Sequence, residues 1–206
     1  MNNPNFYISD ITPELQQRMI GKSYKADCRL PWEELRYLHV LHVDLAGQVH
    51  EGEMVVNHHI ADRVLDIMMK LYEDAYPIER MVLIDEYGAD DDRSMDYNNS
   101  SCFNYRLIAH TDKISRHGLG LAVDINPLYN PYVKTVDGSL YVAPEAGRAY
   151  IDRRKEFPYK IAEDDLCCRL FISAGFQWGG HWTEKKDYQH FEIATEQIAQ
   201  WYRNLM

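Results

Sequence analysis

Residues 115–124 read S-R-H-G-L-G-L-A-V-D, and residues 187–192 read D-Y-Q-H-F-E. Between them they hold two imidazoles, His117 and His190, and the carboxylates Asp124 and Asp187. Imidazole and carboxylate are ligands of a catalytic zinc ion, which takes three protein ligands and keeps a fourth position open. His117, Asp124 and His190 are the expected ligands. Gly118 and Gly120 allow a sharp backbone turn between the first two. Ala122 shares a strand face with Asp124 and leaves space beside the ion. Asp187, three residues before His190, is expected to face the open position. Zinc lowers the pKa of a coordinated water towards ~7, and a neighbouring carboxylate can take that proton and pass it to a leaving amine. The chemistry implied is metal-assisted hydrolysis of an amide.

Either pair alone is a weak signal, because nine histidines make accidental His–Asp spacings common. His181, beside Trp182, is the strongest rival ligand, and His110 is near enough to the first motif to line a cleft. His58 and His59 read as a pair at a helix entry. His39, His42 and His50 fall on a hairpin and read as surface or satisfied residues. The acidic residues 90–92 read as a solvated loop, since they lack the glycine and terminal glutamate of a calcium-binding loop. Cys28, Cys102, Cys167 and Cys168 make no C-x-x-C pair and read as free, buried thiols.

The elements that must position these residues follow from hydrophobic periodicity. Residues 1–34 form an arm with a short helix over Pro13–Met19. Residues 35–56 are rich in β-formers around Gly47 and predict a hairpin. A helix follows, with Asn57 as its N-cap and Ile60, Val64, Ile67, Met68 and Leu71 on one face. Residues 81–84 read as a short buried strand. Residues 98–106 are dense in hydrogen-bonding side chains, which fits a surface loop or a substrate-facing one. Residues 121–125 form the strand that delivers Asp124. Residues 131–158 read as a long, partly ordered loop. A helix over 162–174 ends at Gly175. Strands over 176–178 and 189–193 flank Gly179 and Gly180, and Thr195 caps a last helix over 196–205.

With 206 residues the chain is expected to be one domain, 1–206. A net charge of −10 argues against a general nucleic-acid binder and against binding to anionic lipid through basic residues. No apolar run reaches the ~18 residues of a membrane span. The N-terminus lacks the basic and apolar parts of a signal peptide. An envelope location therefore requires that a leader was removed.

Ser115, His117, Gly120, Ala122 and Asp124 fit S-x-H-x-x-G-x-A-x-D, and residues 187–192 supply an acid three residues before a His. Together these motifs resemble the zinc D-Ala-D-Ala metallopeptidases, which include the L-alanyl-D-glutamate endopeptidases and share their site with hedgehog-type domains. The resemblance covers about residues 80–195 and leaves 1–79 as a family-specific extension of the same unit. It implies an α+β fold, with a small antiparallel sheet carrying the zinc site and helices packed against it. It implies Zn2+ held by His117, Asp124 and His190, with Asp187 as general base and acid. Asp187 stands where dipeptidase members tend to carry Glu, which places the chain nearer the carboxypeptidase and endopeptidase branches. In relatives the region matching 98–106 brings a substrate-polarising Arg, which makes Arg106 the candidate for stabilising the oxyanion. The rival for Arg106 is a structural ion pair. Ser115 contacts substrate or braces the turn, and Trp178 and Trp182 line the cleft or the core. The implied partners are peptidoglycan stem peptides or muropeptides at the bacterial cell envelope. Two further readings are a non-catalytic zinc-containing binding module of hedgehog type and a phage or interbacterial lysin.

Overall fold

The computed structural model describes residues 3–108 and 111–202. β1 (Tyr7–Ser9) and α1 (Pro13–Met19) occupy the arm. Thr12 caps α1 by accepting from Leu15 N, and Pro13 begins it, which gives the helix the expected bounds. β2 (Leu35–Val43) and β3 (Val49–Asn57) form the expected antiparallel hairpin. β1 pairs with the other edge of β2.

α2 (Ala61–Glu73) packs on β2. Val64, Ile67, Met68 and Leu71 are buried, with Ile60 beside them at the cap position. Each such side chain contributes about 1.5–3 kcal/mol relative to exposure. Asn57 does not cap this helix. It ends β3, fully buried, with Nδ2 donating to Leu119 O (2.9 Å) and to the Tyr202 hydroxyl (2.8 Å). Its Oδ1 accepts from His59 N. One amide thus serves three chain segments.

The apolar run 81–84 is not a strand. Val82 N donates to Asn99 Oδ1 (2.9 Å) and Val82 O accepts from Asn99 Nδ2 (3.0 Å), so a side-chain amide replaces a neighbouring strand. The acidic run belongs to α3 (Asp91–Asp96), capped by Asp90, whose carboxylate accepts from Arg93 N.

β4 (Ala122–Asp124) lies in the strand expected over 121–125. The expected loop 131–158 instead contains a hairpin of β5 (Tyr132–Val136) and β6 (Ser139–Ala143). Asp137 and Gly138 both take positive φ at its turn (48° and 78°), as a tight two-residue hairpin turn requires. α4 (Leu166–Ser173) is shorter than 162–174, because the Asp165 carboxylate accepts from Cys168 N and fixes its start. β7 (Phe176–Trp178), β8 (Lys185–Asp187), β9 (His190–Ile193) and α5 (Thr195–Trp201) follow. Thr195 is the first residue of α5, not its cap, and its hydroxyl accepts from Arg116. The expected helix end at 205 lies outside the described residues.

The strands make three small antiparallel sheets, ordered β1-β2-β3, β4-β9-β7 and β6-β5-β8. The α+β class holds, but the single sheet expected to carry the site is divided. β8 pairs with β5, not with β9, so the chain leaves the central sheet after β7 and returns at β9. α4 packs on β7. One buried apolar cluster joins the first two sheets and runs from Phe6 to Tyr202. Cys102, Cys167 and Cys168 are buried, Cys28 is half-buried, and all four are free thiols. Among the described residues no helix is long and apolar enough to cross a membrane.

Candidate metal centre

A single 3-10 turn, His117–Leu119, precedes β4. The Ser115 hydroxyl accepts from Gly118 N (2.9 Å) at its start. Gly120 ends it at φ 66°, a region that disfavours any residue with a Cβ. A Cβ there would also stand 2.8 Å from Asn57 N, so β3 closes against the loop only because the residue is glycine. β4 then places Asp124 directly opposite His190 on β9, and Ala122 opposite Glu192. On the other side of β4, Ser101 exchanges backbone hydrogen bonds with Asp124.

Three side chains converge. His117 Nε2 lies 3.2 Å from Asp124 Oδ2 and 3.2 Å from His190 Nδ1. His190 Nδ1 lies 2.9 Å from Asp124 Oδ1. Two ligands of a tetrahedral ion with bonds of ~2.0–2.2 Å stand about 3.3–3.5 Å apart, so these separations suit a metal after slight opening. The outward nitrogens already have partners. His117 Nδ1 donates to Cys102 O (2.7 Å), and His190 Nε2 faces Glu192 Oε2 at 3.2 Å. Such outer partners fix which ring nitrogen is left for the metal. Both residues are 6% exposed. The donor set therefore fits a zinc ion.

The electrostatics agree. Burial alone would raise the Asp124 carboxyl, but His117 and His190 outweigh it and hold Asp124 well below the usual range. Burial disfavours charge on His190, yet its contacts with Asp124 and Glu192 prevail and raise its pKa to about 10. Protons thus occupy the negative cluster when no cation does. At Asp187 burial dominates. It pushes that carboxyl up to about 6, with Asp124 adding to the rise and His190 opposing it.

Asp187 ends β8 and lines one cavity of about 320 Å³ with all three candidate ligands, Arg106, Ser115, Trp182 and Glu192. Gln189 Nε2 donates to Asp187 Oδ1 (3.2 Å). Gly179 packs so closely that a Cβ there would lie 2.5 Å from Asp187 O. Arg106 faces the cavity while its Nε pairs with Asp91 at 3.2 Å. The Trp182 ring lies 5.4 Å from His190. It also borders an adjoining cleft of about 650 Å³ that includes Lys113, Arg116 and Lys185. Trp178, by contrast, is a core residue.

His181 is exposed and pairs with Glu163 (3.4 Å), so it does not join the ligand group. His110 lies outside the described residues. Residues 98–106 are neither a surface loop nor merely a cleft wall. Asn98, Asn99, Ser100 and Asn104 are buried, and the segment supplies Cys102 O to His117. Sequence reasoning quoted Glu192 but gave it no role. Two residues beyond His190 on one strand, it shares the His190 face, which was the available signal.

Residues 109–193 match the family model described as D-alanyl-D-alanine carboxypeptidase. The matched segment contains His117, Asp124, Asp187 and His190, and it bears out the family resemblance of the two motifs. The match supports a peptidase hydrolase. Neither a curated protein nor a solved structure matches the chain.

Proposed function

We propose that this chain is a zinc-dependent peptidase that hydrolyses amide bonds in peptidoglycan stem peptides, of D-Ala-D-Ala carboxypeptidase or L-Ala-D-Glu endopeptidase type. The observation that carries this reading is the convergence of His117, Asp124 and His190 at 2.9–3.2 Å, with Asp187 lining the same cavity.

His117 Nε2, Asp124 and His190 Nδ1 would hold the ion, which when bound supplies Lewis acidity and an activated water. Every other role belongs to the chain. Asp187 accepts a proton from the attacking water and later donates it to the leaving amine. In the metal-free protein burial raises this carboxyl, the direction that favours holding a proton for later donation. Arg106 stabilises negative charge on the scissile carbonyl oxygen, with Asp91 and Asn104 O fixing its guanidinium. Ser115 braces the His117 turn and faces the cleft. Trp182 forms an apolar wall beside His190 against which substrate packs. Cell-wall substrate places the enzyme at the bacterial envelope or, for a lysin, at the wall of a target cell.

Mass spectrometry of muropeptides incubated with the protein, with and without a chelator, tests this reading. A chelator-sensitive product is expected, and the fragment mass names the bond. A zinc-loaded protein that yields no product supports the binding-module alternative and ends the peptidase reading.

A further inference from the structure

A second group of donor atoms meets at Glu34, His58 and His59. Glu34 ends a 3-10 turn ahead of β2, and the two histidines lie between β3 and α2. One ligand atom from each lies within 4.8 Å of the others, and among the described residues this set and the His117 group are the two of that kind. His58 N donates to Glu34 O (2.8 Å), which ties the two segments together.

His58 Nδ1 lies 3.2 Å from Glu34 Oε2, yet this buried nitrogen makes no hydrogen bond. A proton on it would not point at the carboxylate, and a bare lone pair beside a carboxylate oxygen is repulsive. A cation bound to both atoms removes the conflict. The 3.2 Å separation is again close to the ~3.3–3.5 Å between ligands of a tetrahedral ion.

The surroundings hold these groups in place. The Tyr202 hydroxyl donates to Glu34 Oε2 and accepts from Asn57 Nδ2. The His59 ring stacks on Trp201 with centroids 4.2 Å apart.

We propose that Glu34, His58 and His59 form a second divalent transition-metal site, separate from the His117 centre and weaker than it. Two imidazoles and a carboxylate suit zinc, nickel or copper better than calcium or magnesium. The site is weaker because its groups are partly exposed (side chains 34% for His58 and 28% for Glu34). Arg63, bonded to His59 O, also places positive charge nearby. Asn57, the residue before His58, bonds to Leu119 O and Gly120 O.

Zinc titration of the full chain against a competing chromophoric chelator tests the proposal, with melting curves of each metal-free variant as the folding control. Wild type is expected to take up two equivalents of unequal affinity. His117→Ala should remove the tight equivalent and keep the weak one. Glu34→Gln, which keeps an acceptor for Tyr202, and His59→Gln should each weaken the weak equivalent at least tenfold and leave the tight one unchanged. A single equivalent in wild type overturns the proposal, as does a weak equivalent unchanged in a folded Glu34→Gln protein.

Discussion

Gly179→Ala tests the proposed proton carrier separately from the candidate metal ligands. The added methyl would stand 2.5 Å from Asp187 O and 2.8 Å from Asp187 Cβ, where ordinary contact begins at 3.4 Å. The opposing atoms are backbone and Cβ, so no flexible tip can swing aside, and the end of β8 must retreat by about 0.9 Å. A misplacement of ~1 Å costs about 10²-fold in rate, equivalent to ~2.7 kcal/mol of barrier. Overpacking of this kind also costs about 1–3 kcal/mol of stability, at ~2–4 °C of melting temperature per kcal/mol for a chain of this size. His117, Asp124 and His190 lie on the turn, β4 and β9, not on β8, so zinc affinity should stay within about threefold of wild type, a bound set by that placement. The assay is steady-state hydrolysis of purified muropeptide, with zinc content and melting temperature measured on the same preparation. The expected result is a hundredfold fall in kcat in a folded, zinc-loaded protein. Unchanged kcat would refute the role given to Asp187 placement, and parallel loss of zinc would refute the independence of base and ligands.

Asp187→Asn should abolish turnover while zinc remains bound, as measured by metal content and product formation. In chelator-treated protein the same variant tests the raised carboxyl. With the folded pKa near 6 against 3.8 unfolded, protonated Asp187 favours the fold below about pH 4, and that contribution is lost as pH rises through 6. Asp187→Asn should therefore melt higher than wild type at pH 8 and equally at pH 4; equal melting at both would refute the burial argument. Glu192→Ala frees His190 Nε2 and should weaken zinc binding by about 10–100-fold, read by chelator competition, with Glu192→Gln retaining most of the affinity. Asn57→Ala leaves Leu119 O without its side-chain partner in the interior and should cost about 1–3 kcal/mol in urea unfolding.

That His117, Asp124 and His190 would meet was legible because zinc chemistry restricts residue type, and because glycines mark where the chain must turn. The first hairpin and the buried face of α2 were legible because burial there follows the period of the element. The β5–β6 hairpin was not, since most of its side chains are exposed and carry no apolar alternation, although Asp137-Gly138 was a usable turn signal. β8 is Lys185-Lys186-Asp187, its one strand partner is β5, and polar residues give no strand pattern. Residues 81–84 misled in the opposite direction, because Asn99 supplies from a distance what a strand partner would. Asn98, Asn99 and Asn104 look like surface residues by type, yet their Nδ2 groups donate inside the protein to backbone and carboxylate partners. Partners set by tertiary placement leave no local trace.

The Asn57 amide has a consequence for synthesis. It reaches Leu119 and Tyr202, and the third candidate ligand is residue 190. At ~5–20 residues per second, His190 is made about 3–13 s after Asp124, and Tyr202 later still. Through that interval the growing chain presents only two of the three groups that meet, His117 and Asp124. A product that stops short of residue 190 would lack the third of these groups and, on the proposed reading, could not hold the ion.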